Sequence, residues 1–381
     1  MSSSDVEIVY VQNRREQGRF VRFPWQVYRD DPLWVPPLIR SRLHSLDPQR
    51  GTFFRYGEAA LFLARRNGRD VGRIAGWINH RANGFRDEKA SGFGFFETLN
   101  DYDTVQALLD AVCDWARGRG METIRGPYYF SMDDSPGVLI EGSDYAPVLL
   151  CGHSPLYYSD FLERYGLVKY RDAYAYRVEL ARFNGELDSL PPKILRVAEV
   201  ARKRTGVQIR PIRMEDWDAE VQRVMYLVNE AMGYMRNHVP MDEREFVRYT
   251  DELRQVIDPE LVFLAEIDGR PVGFAATLPD VNQALKSANG RLLPLGWLRM
   301  WWRMRRIDVA SLKLLAVLEE YRGRGLDSLL YLETAQALMR KGYTWVDLSL
   351  TADNNVMINR LVHNLGGQRY KAYRTYQKAL M

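Results

Sequence analysis

Six consecutive residues, Tyr321-Arg322-Gly323-Arg324-Gly325-Leu326, have the types and order needed to hold a phosphate group. Glycine lets a backbone approach a bulky anion closely. A helix starting here would add exposed amides and the positive end of its dipole. Arg322 and Arg324 bring charge. The spacing matches neither G-x-G-x-x-G nor a Walker A loop, which disfavours nicotinamide dinucleotides and ATP. A plain helix start with two solvated arginines is the competing reading.

A second stretch, residues 126–158, is irregular and dense in aromatics, glycine and proline. Long irregular segments in compact chains are functional or disordered, and aromatic content argues against disorder. Its candidates are Asp133, Asp134, Glu141, His153, Tyr157 and Tyr158. His153 is the strongest base candidate, because imidazole titrates near neutrality. Glu141 comes next and needs burial to raise its pKa. Asp134 and Tyr157 complete the catalytic set. Each is equally readable as a loop charge or a buried, hydrogen-bonded side chain. The five histidines (44, 80, 153, 238, 363) show no zinc-ligand spacing, so no metal is expected. There is no G-x-S-x-G.

These groups need elements to position them. Residues 207–212 read as a strand and 214–232 as a helix. Residues 261–267 and 271–277 read as a hairpin about Asp268-Gly269. The apolar run 311–318 suits a buried strand. Residues 326–340 have helical spacing and stop at Gly342. Strand 344–350, helix 355–365 and strand 371–378 follow. The first half repeats this order: a hairpin about Asn67-Gly68, strand 92–96, helix 104–117 and strand 122–126. Val105, Leu108, Leu109, Val112 and Ala116 mark that helix. Gly185, Pro191 and Pro192 interrupt the pattern. The expected fold is α/β (α+β), a duplicated unit in two domains, 1–185 and 186–381. Each has a mixed central sheet flanked by helices.

In this setting, Val317-x-x-x-Tyr321-Arg322-Gly323-Arg324-Gly325 resembles the acyl-CoA pyrophosphate loop of the Gcn5-related N-acetyltransferase (GNAT) superfamily. Asp353-Asn354-Asn355, with Leu361 and Leu365-Gly366-Gly367, resembles that superfamily's next strand–helix unit. The hairpin is similar to its second and third strands. The resemblance covers residues 207–381 in motif and 1–180 in architecture alone. It implies acyl-CoA as co-substrate, with amides of residues 322–326 on the pyrophosphate. It also implies that backbone at Val317 and Leu318 aligns pantetheine and polarises the thioester carbonyl, and that Asn355 orients pantetheine or the adjoining strand. Val317, Leu318, Tyr321, Arg322, Gly323, Arg324, Gly325, Leu326 and Asn355 are thus the expected co-substrate ligands. Two departures stand out. The pattern R-x-x-G-x-G/A ends here in Asp327, whose carboxylate must turn away from the anion. Many members carry a thiolate-protonating tyrosine where this chain has Val362. Tyr370, Tyr373 and Tyr376 are nearby, as a substitute acid or as packing.

The loop 97–103 stands where the first half should hold its phosphate turn, yet it is acidic and lacks glycine. The first copy is therefore expected to be degenerate and to bind the acceptor. Such a tandem resembles the bacterial group that contains ceramide-forming N-acyltransferases.

Composition sets the remaining bounds. The 381 residues are 46% hydrophobic and 27% charged, which suits two globular domains and excludes low-complexity disorder. A net charge of +4 gives no reason to expect a nucleic-acid partner. No run reaches bilayer length, and the start, MSSSDVEIVY, lacks a signal pattern; the cytoplasm is expected. Residues 291–306, within an insertion at 284–308, hold five Arg, three Trp and no acid. With Pro294 in the first turn, the wheel sets Arg299, Arg303 and Arg306 opposite Trp297, Met300, Trp301 and Met304. This reads as a helix packed by its Trp face, or as peripheral membrane contact at the inner face through Leu292–Arg306. The expected function is acyl-CoA-dependent transfer to an amine, with a long-chain acyl group and a sphingoid-type lipid amine as the sharpest form. An acetyl-CoA-dependent acetyltransferase of small amines or peptides and a non-catalytic CoA-binding module are the alternatives; transfer from aminoacyl-tRNA is weaker.

Overall fold

A computed structural model describes residues 6–130, 137–183, 192–233, 239–240 and 243–380. The chain forms two compact units. The first comprises Met1–Tyr174, Asn282–Arg305 and Tyr370–Met381; the second comprises Ala175–Val281 and Arg306–Arg369.

The first unit begins with strands β1 (Glu7–Tyr10), β2 (Gly57–Arg66), β3 (Arg69–Asn79), β4 (Ala90–Thr98), β5 (Thr123–Gly126) and β6 (Val138–Glu141). Its early helices are α1 (Arg14–Arg22), α2 (Pro24–Val27), α3 (Ile39–Ser45), α4 (His80–Arg86), α5 (Tyr102–Arg117) and α6 (Tyr157–Arg164). Strand β7 (Val168–Glu179) leads into the second unit. There follow α7 (Pro192–Thr205), β8 (Gln208–Pro211), α8 (Trp217–Met232), α9 (Glu243–Leu253), β9 (Val262–Ile267) and β10 (Arg270–Pro279). Helices α10 (Asn282–Ala288) and α11 (Gly296–Met304) return to the first unit. Then β11 (Val309–Val317), α12 (Leu326–Arg340), β12 (Trp345–Ala352) and α13 (Val356–Asn364) complete the second, and β13 (Gln368–Ala379) ends in the first.

The two units share one topology. Strands β1 to β4 pair antiparallel in order, and β5 joins β4 in parallel. Strands β8 to β11 do the same, and β12 joins β11 in parallel. Both hairpins turn on paired positive φ angles: Asn67 at 54° and Gly68 at 75°, Asp268 at 50° and Gly269 at 77°. That is the twist-matched geometry of a two-residue hairpin. Both units also bulge at the same strand. Phe95 and Phe96 oppose Ile74 alone, and the β10–β11 register passes over Lys313. The expected duplication extends to these details.

The cores follow the expected periodicities. Val105, Leu108, Leu109, Val112 and Ala116 of α5 are buried against Ile74, Phe93 and Phe96. Trp217, Val221 and Val228 of α8, with Phe246 of α9, cover Leu264, Phe274 and Ala316.

Two segments leave the division expected at residues 185/186. Strand β13 pairs with β5 and β6. The Trp/Arg segment follows α10, which is fastened to the first unit by Asn282 Nδ2 to Pro147 O (2.9 Å) and Trp25 Nε1 to Asn289 Oδ1 (2.9 Å). These contacts join residues more than 100 positions apart, which local periodicity cannot reveal. The helix itself starts at Gly296, beyond Pro294, and none of its residues is buried. The reading of a helix packed down by its Trp face is corrected accordingly.

Candidate active site

Strands β11 and β12 pair in parallel from Val309/Trp345 to Leu312/Leu348 and then part, although both run on. The bulge at Lys313 lies where they part. Beyond β11 comes the glycine-rich turn. Gly323 has φ 71° and Gly325 φ 84°, in the left-handed region where a side chain is strained. Their surroundings differ. A Cβ on Gly325 would lie 2.8 Å from Val197 Cγ1 and 3.1 Å from Ala201 Cβ, so α7 packs directly on the turn; a Cβ on Gly323 would meet nothing within 4 Å. The first bond of α12 is Leu329 N–H to Gly325 O (3.1 Å), and no side chain caps this helix. The amides of residues 325–328 therefore have no helical acceptor. With the dipole they form an anion cradle with open space at Gly323, which fits the diphosphate of acyl-CoA.

The remaining turn residues take distinct tasks. Arg322 donates from Nε to Val317 O (3.2 Å) and from Nη2 to Ala231 O (2.7 Å), so it ties the turn to β11 and the end of α8. Arg324 lies over the Tyr321 ring, 5.2 Å from its centroid. Asp327 is half-buried in the first turn of α12; burial first, and then its charge, raises the pKa of Tyr331 one turn on. The carboxylate thus runs with the helix. The amide of Leu318 donates to Val272 O (2.9 Å) and is committed to the sheet, not to an oxyanion. Asn355 caps α13 by accepting from Ile358 N (3.2 Å). The residue that braces the end of β12 is Asn359. It donates to Ala352 O (3.1 Å) and accepts from Tyr176 OH (2.8 Å). Sequence reasoning missed it, though it stands one helical turn after Asn355. Val362 is buried core. Tyr370, Tyr373 and Tyr376 are buried as well. The Tyr373 and Tyr376 hydroxyls donate to Gly152 O and Glu163 Oε1, both at 2.9 Å.

Alternation gives β11 and β12 two faces. Leu312, Val346 and Leu348 line an apolar cavity of about 50 Å³ beneath α12, together with Leu332, Leu338 and Thr334. The Thr334 hydroxyl oxygen is buried there without a partner among the described residues. The other face carries Ser311, Lys313, Asp347 and Ser349. Asp347 is fully buried and accepts from the Ser311 and Ser349 hydroxyls. Lys313 Nζ lies 3.5 Å from Asp347 Oδ2 and 3.0 Å from Ser349 Oγ. The signal for this set was present as polar residues two apart, Ser311/Lys313 and Asp347/Ser349, inside apolar strands.

In the first unit, His153 is the sequence candidate with a built environment. Its ring is 3% exposed, and Nε2 lies 2.7 Å from Asp31 Oδ2. Burial lowers its pKa and Asp31 opposes that shift, so the ring is neutral at pH 7. Nδ1 is buried with no hydrogen-bond partner among the described residues. Tyr28 OH donates to His153 O (3.1 Å). Lys371, fully buried, donates to Gly142 O (2.8 Å), and burial lowers its pKa to about 8 against the pull of Cys151, Asp144 and Asp31. Asp31 and Lys371 were invisible in the sequence, because nothing local links them to His153. The other candidates are elsewhere. Glu141 is exposed at the end of β6, without the burial its role requires. Tyr157 donates to Thr98 O (2.9 Å), and burial raises its pKa to about 12. Asp133 and Asp134 lie outside the described residues. Among the described residues, no group of three or more His, Cys, Asp or Glu suits a metal ion.

Residues 221–366 match the model of the acetyltransferase (GNAT) family. The chain is 32% identical over 392 residues to the bacterial ceramide synthase of Caulobacter vibrioides (strain NA1000 / CB15N), covering 100% of this chain and 99% of that one. It is 28% identical over 377 residues to protein YghO of Escherichia coli (strain K12), covering 97% and 94%. A solved tandem GNAT protein from the clavulanic acid biosynthesis pathway matches with a TM-score of 0.59, at 14% identity and 99% coverage of each chain. That last likeness concerns the fold.

Proposed function

The chain belongs to the Gcn5-related N-acetyltransferase (GNAT) family of acyltransferases, and we propose that it transfers a long-chain acyl group from acyl-CoA to a lipid amine of the sphingoid type. A shared fold would not by itself support a substrate. The supporting observation is likeness over the whole length to the ceramide synthase of C. vibrioides. The open space at Gly323 agrees with an acyl-CoA donor.

In this reading the amides at the start of α12 bind the diphosphate. Bound acyl-CoA supplies the acyl group as a thioester with a thiol leaving group of pKa about 8.5. A thiol that acidic departs near neutral pH without a dedicated proton donor, which accounts for Val362 at the tyrosine position. His153 is the proton acceptor for the amine. If Nε2–H donates to Asp31, the neutral ring keeps its lone pair on the buried Nδ1, a tautomer that the carboxylate fixes.

The test pairs acetyl-CoA or palmitoyl-CoA with either sphinganine or a soluble amine, and reads thiol release and product mass. Palmitoyl-CoA with sphinganine is expected to give the amide at the highest rate. A preference for acetyl-CoA with the soluble amine would replace the lipid reading by a small-molecule acetyltransferase. Thiol release with none of the pairs would sink both.

A further inference from the structure

Helix α11 and its approach carry an exposed apolar surface separate from the residues assigned to acyl transfer. Leu293 is 73% exposed, Leu295 57%, Trp297 50%, Leu298 45%, Trp301 48% and Trp302 47%. Scattered exposed apolar residues are ordinary, but six within ten positions form a patch that marks an interaction surface. The element beneath is firmly held. Ile39 N–H donates to Gly290 O (3.0 Å), Trp25 Nε1 to Asn289 Oδ1 (2.9 Å), and Lys286 Nζ to Pro32 O. Trp297 N–H closes onto Leu292 O (2.7 Å).

Charge decides what covers the patch. Residues 291–306 contain Arg291, Arg299, Arg303, Arg305 and Arg306 and no acid. Arg305 lies 3.9 Å from the Trp301 ring centroid and Arg303 5.6 Å from that of Trp302, so cations and rings share one level. Tryptophan with arginine at one depth suits the headgroup zone of a bilayer, where the ring enters the acyl boundary and the guanidinium meets phosphate. A second copy of the chain fits poorly, because a two-fold contact would press this cationic patch against itself. At nine residues α11 is only about 14 Å long, and no helix among the described residues is long and apolar enough to cross a membrane.

We propose that residues 291–306 seat the protein on the surface of an anionic bilayer, α11 lying in the interface. The inference stands without the acyl-transfer reading, since it concerns adsorption and not turnover.

The full chain is sedimented with vesicles of phosphatidylcholine alone and of phosphatidylcholine mixed with phosphatidylglycerol. It should partition to the mixed vesicles, with a blue shift of tryptophan emission, and release as salt rises. The triple variant Trp297→Ser/Trp301→Ser/Trp302→Ser should lose at least roughly tenfold in partitioning. Each Arg→Ser at 299, 303 or 305 should cost roughly fivefold on mixed vesicles and far less on neutral ones. Melting temperatures should stay unchanged, because these side chains are exposed. Failure of the wild type to bind mixed vesicles, or equal binding by the triple variant, would overturn the proposal. So would a wild-type dimer in sedimentation velocity that the triple variant converts to monomer.

Discussion

Two forks, one in each unit, begin alike and end differently. In the first, β4 and β5 pair only from Ala90/Thr123 to Gly92/Arg125, and the chain beyond β5 then closes the gap. Tyr128 N–H donates to Phe93 O (3.0 Å), and a Cβ on Gly94 would lie 1.6 Å from Tyr128 O. The Phe130 ring stacks on Phe53, with centroids 4.2 Å apart. At the start of α5, the Tyr157 and Tyr158 hydroxyls engage Thr98, while Asp101 binds Thr104 and Arg66 (2.8 Å). The second unit puts Gly323 and Gly325 at the same structural point; no side chain caps the helix in either unit. Both forks keep the bulge and a neighbouring ion pair, Arg73–Glu97 at 2.5 Å and Lys313–Asp347 at 3.5 Å. The two units therefore differ in the few residues between strand and helix, not in the scaffold that holds them.

The sharpest way to break this comparison is to put a carboxylate into the cradle. Gly323→Glu should lower acyl-CoA affinity at least about a hundredfold in calorimetry. Only φ strain of about 1–2 kcal/mol should reach stability, because the space there is open. Gly325→Glu should lose binding and fold stability together, through its clash with α7. Asp101→Gly in the first unit should leave affinity unaltered; an equal loss there would erase the distinction.

Next in size is the base assigned to the first unit. His153→Gln should reduce kcat roughly 10²–10³-fold while KM for acyl-CoA holds. Wild-type activity should fall as pH drops through the lowered pKa of His153, below 6.5, and the variant should lack that limb. The fold should weaken over the same window, because the unfolded imidazole takes up its proton first.

Two lysines, Lys313 half-buried and Lys371 buried, sharpen the contrast in stability. Lys313→Met leaves Asp347 buried without its cation and should cost about 3 kcal/mol in urea unfolding. Lys371→Met should stabilise the protein by about 2 kcal/mol at pH 7, since Lys371 is buried against a carbonyl. Sign and window follow from a folded pKa of about 8 against an ordinary 10.5. The penalty is complete below pH 8 and fades as pH rises toward 10.5, where the folded lysine is neutral and the unfolded one is charged. The gain from the variant should shrink over that range; a gain flat in pH would contradict the assignment. The smallest effect belongs to Thr334→Val. Removing an unpartnered hydroxyl from an apolar cavity should add about 1 kcal/mol, seen as a higher melting temperature.

Much of the fold was legible along the chain. Asp268-Gly269 and Asn67-Gly68 named their hairpins, because paired positive φ angles admit few residue types. The α5 face was written in its 3.6-residue spacing, and the turn at Gly323 in its glycines. The site was only half legible. Asn355 reads as a ligand in a motif, and in the structure its side chain caps α13. Asp31 and Lys371 gave no motif, and the spacing that marks Ser311/Lys313 and Asp347/Ser349 does not pair them, since their partners arrive from other strands and distant loops.

By itself, then, the amino-acid order determined the duplicated strand–helix program, the glycine-rich turn and the acidic loop that stands in its place in the first copy. Each depends on backbone torsion or periodicity, which neighbouring residues set. Tertiary structure alone decided that α11 and β13 join the first unit, that Leu318 has no amide to spare, and that His153 meets Asp31. Those outcomes depend on hydrogen bonds and burial between segments far apart in the chain, where local preference carries no information.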